Sequence, residues 1–118
     1  MTELLHITTT DRWQEAQSAD EYRPPSLAEE GFIHCSTADQ IIGVANAFYA
    51  GQSGLLLLQI DPVKVLAEVR YEDCYESGQE FPHIYGPLPL PAVKKVFEFR
   101  PDSAGSFALP DGLQADKR

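Results

Sequence analysis

The segment Leu55–Asp61 (LLLLQID) restricts the possible folds more than any other part of this sequence. It is apolar nearly throughout and does not alternate, as expected of a strand covered on both faces. Its longest apolar run, Leu55–Leu58, is far too short to span a bilayer. Other elements must therefore pack above and below it. A chain of 118 residues supplies material for one such core and leaves no room for a second.

The flanking segments supply the cover. Glu3–Thr8 (ELLHIT) alternates and is rich in β-formers, which predicts a first strand. Thr10 or Asp11 then caps a short helix from about Arg12 to Ala19, broken at YRPP over 22–25. Ser26–Glu29 (SLAE) has the form of a capping box with Gly31 as terminator, so one helical turn is expected at 26–30. Phe32–Ser36 reads as a second strand. Thr37–Gln40 (TADQ) opens a helix to about Ala50, closed by Gly51, with Ile41, Ala45 and Phe48 at helical spacing toward the sheet. Pro62 ends the apolar strand, and Glu68–Glu72 forms another after a turn. From Cys74 to Pro91 the density of Gly and Pro rules out long regular elements. Lys94–Arg100 (KKVFEFR) alternates again as a last strand with Phe97 and Phe99 inward. The prediction is one α+β domain over residues 1–100 with two main helices, followed by a flexible C-terminal tail over 101–118 that frays.

The formal net charge is −9. That much negative charge repels phosphate backbones and acidic membranes, so neither nonspecific nucleic-acid binding nor membrane binding is expected, while a local Arg or Lys can still hold one small anion. The N-terminal MTELLHITTTDRW has no basic region followed by a long apolar run, so no signal peptide is read there. Cys35 and Cys74 lack CxxC spacing and fit free thiols in a reducing, cytoplasmic compartment better than a disulfide. Nothing in the sequence sets the oligomeric state.

Period-two geometry sorts the residues that could carry chemistry. Leu4, His6 and Thr8 share one strand face; Phe32, His34 and Ser36 share another, with Ile33 and Cys35 opposite. An imidazole within an apolar strand is costly unless hydrogen-bonded. His6 and His34 are therefore either satisfied structural groups or, if the two strands are neighbours with matching faces, members of one cleft. Ser36 and Thr37 stand at a strand-to-helix junction, whose free N–H groups suit a phosphate or carboxylate, though either residue can simply be an N-cap. The segment EFPHIYGPL over 80–88 puts Glu80, His83 and Tyr85 on a proline-stiffened loop, a common setting for a binding site and an equally good one for core packing. Arg70 and Arg23 are the cations available to meet an anion, and Glu72, Asp73, Glu76 and Glu80 read mainly as surface charge. No HxxxH, HxH or GxSxG occurs, so no metal is expected, although His6, His34 and His83 could converge as a three-histidine site.

The strings ITT near the start, EEGFIHCST at 29–37 and EFPHIYGPLPLPAV at 80–93 resemble the hallmark segments of a small bacterial family, domain-of-unknown-function family 952. The resemblance runs from about Leu4 to Phe99. It implies a fold similar to that of the ADP-ribosyltransferases, a split, mixed β-sheet that clamps NAD, in a superfamily that includes RNA 2′-phosphotransferases. It places His6 where the superfamily has a ribose-contacting His or Arg, and His34, followed by Ser36, where a second-strand Tyr or His meets the nicotinamide. In the late segment, where transferases carry a catalytic glutamate, this sequence offers Glu80 and Glu98.

The resulting expectation is an NAD- or nucleotide-related transferase or phosphotransferase with a histidine-lined cleft. His6, His34 and Tyr85 would act at its centre. Ser36, Thr37, Arg70, Glu80 and His83 would hold a small nucleotide, with NAD as substrate. Two alternatives are a nucleotide-binding module that keeps the cleft without chemistry, and a hydrolase using a metal on the three histidines.

Overall fold

The structure is a computed structural model that describes residues 3–73 and 76–113; Cys74 and the last part of the expected tail lie outside them. β1 (Leu4–Thr9) leads straight into α1 (Thr10–Ala19). The cap of α1 is Thr9, whose side chain accepts from the Arg12 N–H at 3.2 Å, rather than Thr10 or Asp11. A short β2 (Glu21–Tyr22) and α2 (Pro25–Glu30) follow. Ser26 caps nothing; its hydroxyl donates to the Phe32 carbonyl at 2.8 Å, and Gly31, at φ 91°, turns the chain back. β3 (Ile33–His34), α3 (Ala38–Phe48) and β4 (Leu55–Ile60) complete the first half. The second half holds a 3₁₀ turn at Pro62–Lys64, β5 (Val69–Glu72), β6 (Phe81–Ile84), β7 (Leu88–Pro89), a second 3₁₀ turn at Leu90–Ala92 and β8 (Val93–Phe99). Among the described residues no helix is long and apolar enough to cross a membrane.

The strands form two three-stranded sheets, β1-β4-β8 and β3-β6-β5, and a small β2-β7 ribbon. Every strand pairing among the described residues is antiparallel, which corrects the expectation of a mixed sheet. The two long helices carry the chain from one sheet to another instead of between neighbours of the same sheet, so no parallel pair arises. The large sheets meet at one bridge, where Leu5 and Ser36 exchange backbone bonds at 2.8 Å. Beyond it the end of β1 and the start of β3 part, and the sheet splits there.

β4 sits at the centre as its sequence demands. Leu58 and Ile60 join a core with Leu4, Tyr22, Ile33, Ile84 and Leu88. Leu55 and Leu57 join a second core on the opposite face, with Leu5, Ile41, Ala45, Phe97 and Phe99. The chain after Pro101, expected to fray, instead packs as far as Leu113. Phe107 stacks on Phe99 with ring centroids 4.7 Å apart, and its N–H donates to Asn46 Oδ1 at 2.8 Å. Two buried apolar side chains, Phe107 and Leu113, outweigh the polar composition of that segment. Phe48 departs from expectation in the other direction: α3 buries Ile41 and Ala45, but Phe48 is 76% exposed.

The Gly- and Pro-rich stretch is more regular than its composition implies, since β6 is the middle strand of the smaller sheet. Pro82 leaves its mark there. Cys35 N–H donates to the Pro82 carbonyl at 3.0 Å, but Pro82 has no N–H to return, and β3 ends at His34. Gly86 is fixed by close approach: a Cβ on it would stand 2.7 Å from the Ala67 Cβ, which cannot swing away. Gly86→Ala is therefore expected to destabilise the fold by about 1–3 kcal/mol. Urea midpoints check this, and the pair Gly86→Ala with Ala67→Gly should recover most of the loss.

Candidate functional site

One face of the smaller sheet gathers most of the signature residues. His34 on β3 and His83 on β6 are register partners, and their rings meet edge to face with centroids 5.3 Å apart. Phe32 lies flat on His83, 4.2 Å between centroids, and edge-on to His34 at 4.8 Å. From β5 comes Glu72, whose Oε1 accepts from His83 Nδ1–H at 2.9 Å and from the Tyr85 hydroxyl at 2.5 Å. The bonds from Tyr85 and then His83 hold the Glu72 carboxyl below the usual carboxylate range. Because a carboxylate only accepts, His83 carries its proton on Nδ1. Arg70 lies 4.5 Å over the Tyr85 ring and pairs with Glu68 at 2.9 Å.

His34 is the member of this cluster that reaches open space. Its Nε2–H donates to Glu30 Oε2 at 3.1 Å, a contact made possible by the reversal at Gly31. It lines two cavities. One, of about 620 Å³, is walled largely by apolar groups, including Val44, Phe48 and Phe81, together with His83. The other, of about 230 Å³, opens at the split between the sheets and is lined by Arg12, Tyr22 and Ser26 as well. Val44 and Tyr49 also belong to both.

His6 plays a different part. The antiparallel bridge sets Leu5 opposite Ser36, so the two-residue period puts His6 on the face opposite His34. Its Nδ1–H donates to the backbone carbonyl of His34 at 2.5 Å, and Nε2 lies 2.7 Å from the Tyr22 hydroxyl. Burial pushes its pKa down to about 4, so the ring is neutral and Nε2 accepts from Tyr22. The Thr8 hydroxyl, hydrogen-bonded to that of Tyr22 at 2.8 Å, completes the chain. Burial likewise pushes Tyr22 up to about 12. His6 still borders the smaller cavity, but both its nitrogens are committed, and the three histidines do not converge on one point. Among the described residues no three His, Cys, Asp or Glu side chains are grouped to hold a metal ion.

The remaining expected site residues scatter. Ser36 is buried and gives its backbone to the bridge with Leu5. Thr37 serves as the N-cap of α3, its N–H donating to Gln40 Oε1 at 3.0 Å. Glu80 contributes its carbonyl, which accepts from Gln40 Nε2 at 2.7 Å and ties α3 to the start of β6. Arg70 and Arg23 are turned to solvent and to neighbouring glutamates, and neither lines the cavities that share His34. Cys35 is a buried free thiol whose pKa burial drives upward. The cation at the cleft is Arg12, which sequence reasoning passed over. Its one signal was a place in the first turn of α1, which a helix following β1 without a loop brings to the mouth of the split. Tyr49 and Phe48 were missed because they end a helix whose apolar face was read as wholly inward.

The comparisons agree with this picture of the fold. A family model described as a protein of unknown function (DUF952) matches residues 7–96. No curated protein matches the chain. The crystal structure of protein CC0527 from Caulobacter crescentus is similar at 25% identity and a TM-score of 0.81, over 91% of this chain and 94% of that one. The solution NMR structure of CC0527 gives 26% identity and a TM-score of 0.71, over 90% and 91%.

Proposed function

The chain belongs to the DUF952 family, and from the geometry of its cleft we propose that it binds a small nucleotide of the NAD or ADP-ribose class across the two cavities that share His34. The observation that carries this reading is the division of the cleft. An apolar chamber bordered by Phe48 and Phe81 suits a base, and the adjoining one, of mixed lining and with the Arg12 guanidinium, suits phosphate. His34 and Tyr49 stand where the two meet, at the position a ribose would take. The split between the antiparallel sheets would act as the clamp of an ADP-ribosyltransferase-like fold. A transferase or phosphotransferase is the enzymatic form of this reading.

A second reading, a binding module without chemistry, is favoured by one feature. Among the described residues no carboxylate lines either cavity. Breaking a nicotinamide–ribose bond develops positive charge on the sugar, and a nearby carboxylate is the usual means of stabilising it.

Calorimetric titration with NAD, ADP-ribose, AMP and adenosine tests the proposal. Binding of the phosphorylated ligands is expected, weakened about tenfold or more in His34→Ala and in Arg12→Ala, where one charged hydrogen bond is lost. Arg12→Ala should leave adenosine binding nearly unchanged. If no nucleotide binds the wild type at millimolar concentration, the reading fails.

A further inference from the structure

We propose that Tyr49 is the residue by which the cleft tells a phosphorylated nucleotide from its nucleoside, its hydroxyl and the Arg12 guanidinium holding one phosphate at the split between the sheets. This role rests on the nucleotide reading above and adds to it the group that senses the phosphate. Most polar side chains of the smaller cavity, of about 230 Å³, are already taken. Both nitrogens of His6 are committed, to the His34 carbonyl and the Tyr22 hydroxyl, and Tyr22 is also bonded to Thr8. Ser26 gives its hydroxyl to the Phe32 carbonyl, and His34 gives its Nε2–H to Glu30. Two remain. Among the described residues, the polar ends of Arg12 and Tyr49 have no hydrogen-bond or ion-pair partner.

The two come to the cavity from different elements, α1 and the end of α3, and act near one point. The Arg12 charge is felt at both His6 and Tyr22, and Tyr49 is felt at Tyr22 as well. Each therefore stands within electrostatic reach of the Tyr22 hydroxyl. A guanidinium only donates and a phenol can donate, so the pair presents N–H and O–H groups together with one positive charge. Among the described residues no carboxylate lines this cavity to compete for them. Such a pair calls for an occupant that brings acceptor oxygens and negative charge, as a phosphate does.

Tyr49 is the fixed member of the pair. Its N–H donates to the Ala45 carbonyl at 2.8 Å, and its own carbonyl accepts from the Gln52 N–H at 2.9 Å. Its ring packs against the core that holds Ile41 and Ala45. A tyrosine so held has few torsions to freeze when a ligand arrives, whereas Arg12 is exposed and must order a long side chain. Arg12 supplies the charge, and Tyr49 supplies the place. Tyr49 also borders the larger apolar chamber, so its ring serves the base side of the cleft while its hydroxyl serves the phosphate side. Tyr22, the other tyrosine of the cavity, makes the contrast: its hydroxyl is spent inside the fold.

Calorimetric titration of wild type, Tyr49→Phe and Tyr22→Phe with AMP and adenosine tests the assignment. Tyr49→Phe should weaken AMP about tenfold, the loss of one hydrogen bond to a charged group, and leave adenosine nearly unchanged. Its urea midpoint should stay at the wild-type value, because among the described residues the hydroxyl has no partner to lose. Tyr22→Phe should do the reverse, lowering the urea midpoint while keeping the preference for AMP. Tyr49→Ala removes the ring as well and should weaken both ligands. A preference for AMP that survives Tyr49→Phe, or one lost in Tyr22→Phe instead, overturns the assignment and leaves the nucleotide reading standing. Absence of binding by any nucleotide to the wild type at millimolar concentration overturns both.

Discussion

Taking the protein from pH 7 to pH 4 is expected to remove about 3 kcal/mol of stability through His6 alone. The cause is the buried chain from Thr8 through Tyr22 and His6 to the His34 carbonyl, which uses the neutral imidazole. In the unfolded chain His6 titrates near the ordinary value of 6.5, and in the fold burial lowers it to about 4. Above pH 6.5 neither state binds the proton, and the contribution of His6 is complete. Below it the unfolded chain gains a proton that the native state refuses, so stability falls by up to about 1.4 kcal/mol per pH unit until the native ring also titrates. Exposed carboxylates add their own acid sensitivity at lower pH, so the measurement is a comparison. Urea unfolding of wild type and His6→Gln between pH 7 and pH 4 should show the wild-type advantage shrinking by about 3 kcal/mol. Parallel curves for the two proteins would mean that His6 is not held neutral.

The same histidine marks where sequence reasoning stopped. Strand alternation identified β1 and β8, and the unbroken apolar run identified β4, because those elements lie in one regular sheet. It was less useful at the split. Whether His6 and His34 share a face depends on how β1 meets β3, and a single bridge at Leu5 and Ser36 decides it. No local pattern encodes that register. The pairing of His34 with His83 was out of reach for a related reason, since β6 lies in a segment whose prolines argue against a strand. Pro82 is tolerated there because the ladder toward β3 ends beside it. The family strings nonetheless hold residues that meet in the fold: Phe32, His34, His83 and Tyr85 form one cluster. Arg12 left no comparable trace, because its role comes from the position of a helix and not from a pattern of its own.

Leu57→Ala and Leu58→Ala are each expected to lose about 2–5 kcal/mol, the largest effects foreseen for single substitutions in this fold. Both side chains are fully buried, yet they enter different cores. Leu57 packs with Ile41, Ala45 and Phe97 beneath α3, and Leu58 with Tyr22, Ile33 and Ile84 toward the smaller sheet. A sheet with one solvated face would make one of the two nearly neutral. Here neither face is spare, because β4 carries a packed layer on each side. Leu56, only partly buried, supplies the internal control and should cost clearly less when cut to Ala. Chemical denaturation of the three variants reads out the difference. If Leu57→Ala or Leu58→Ala costs under about 1 kcal/mol, the double cover of the central strand is wrong. The split sheet would then lose its rigid floor, and with it the fixed spacing of His34 and Arg12 that the proposed ligand site requires.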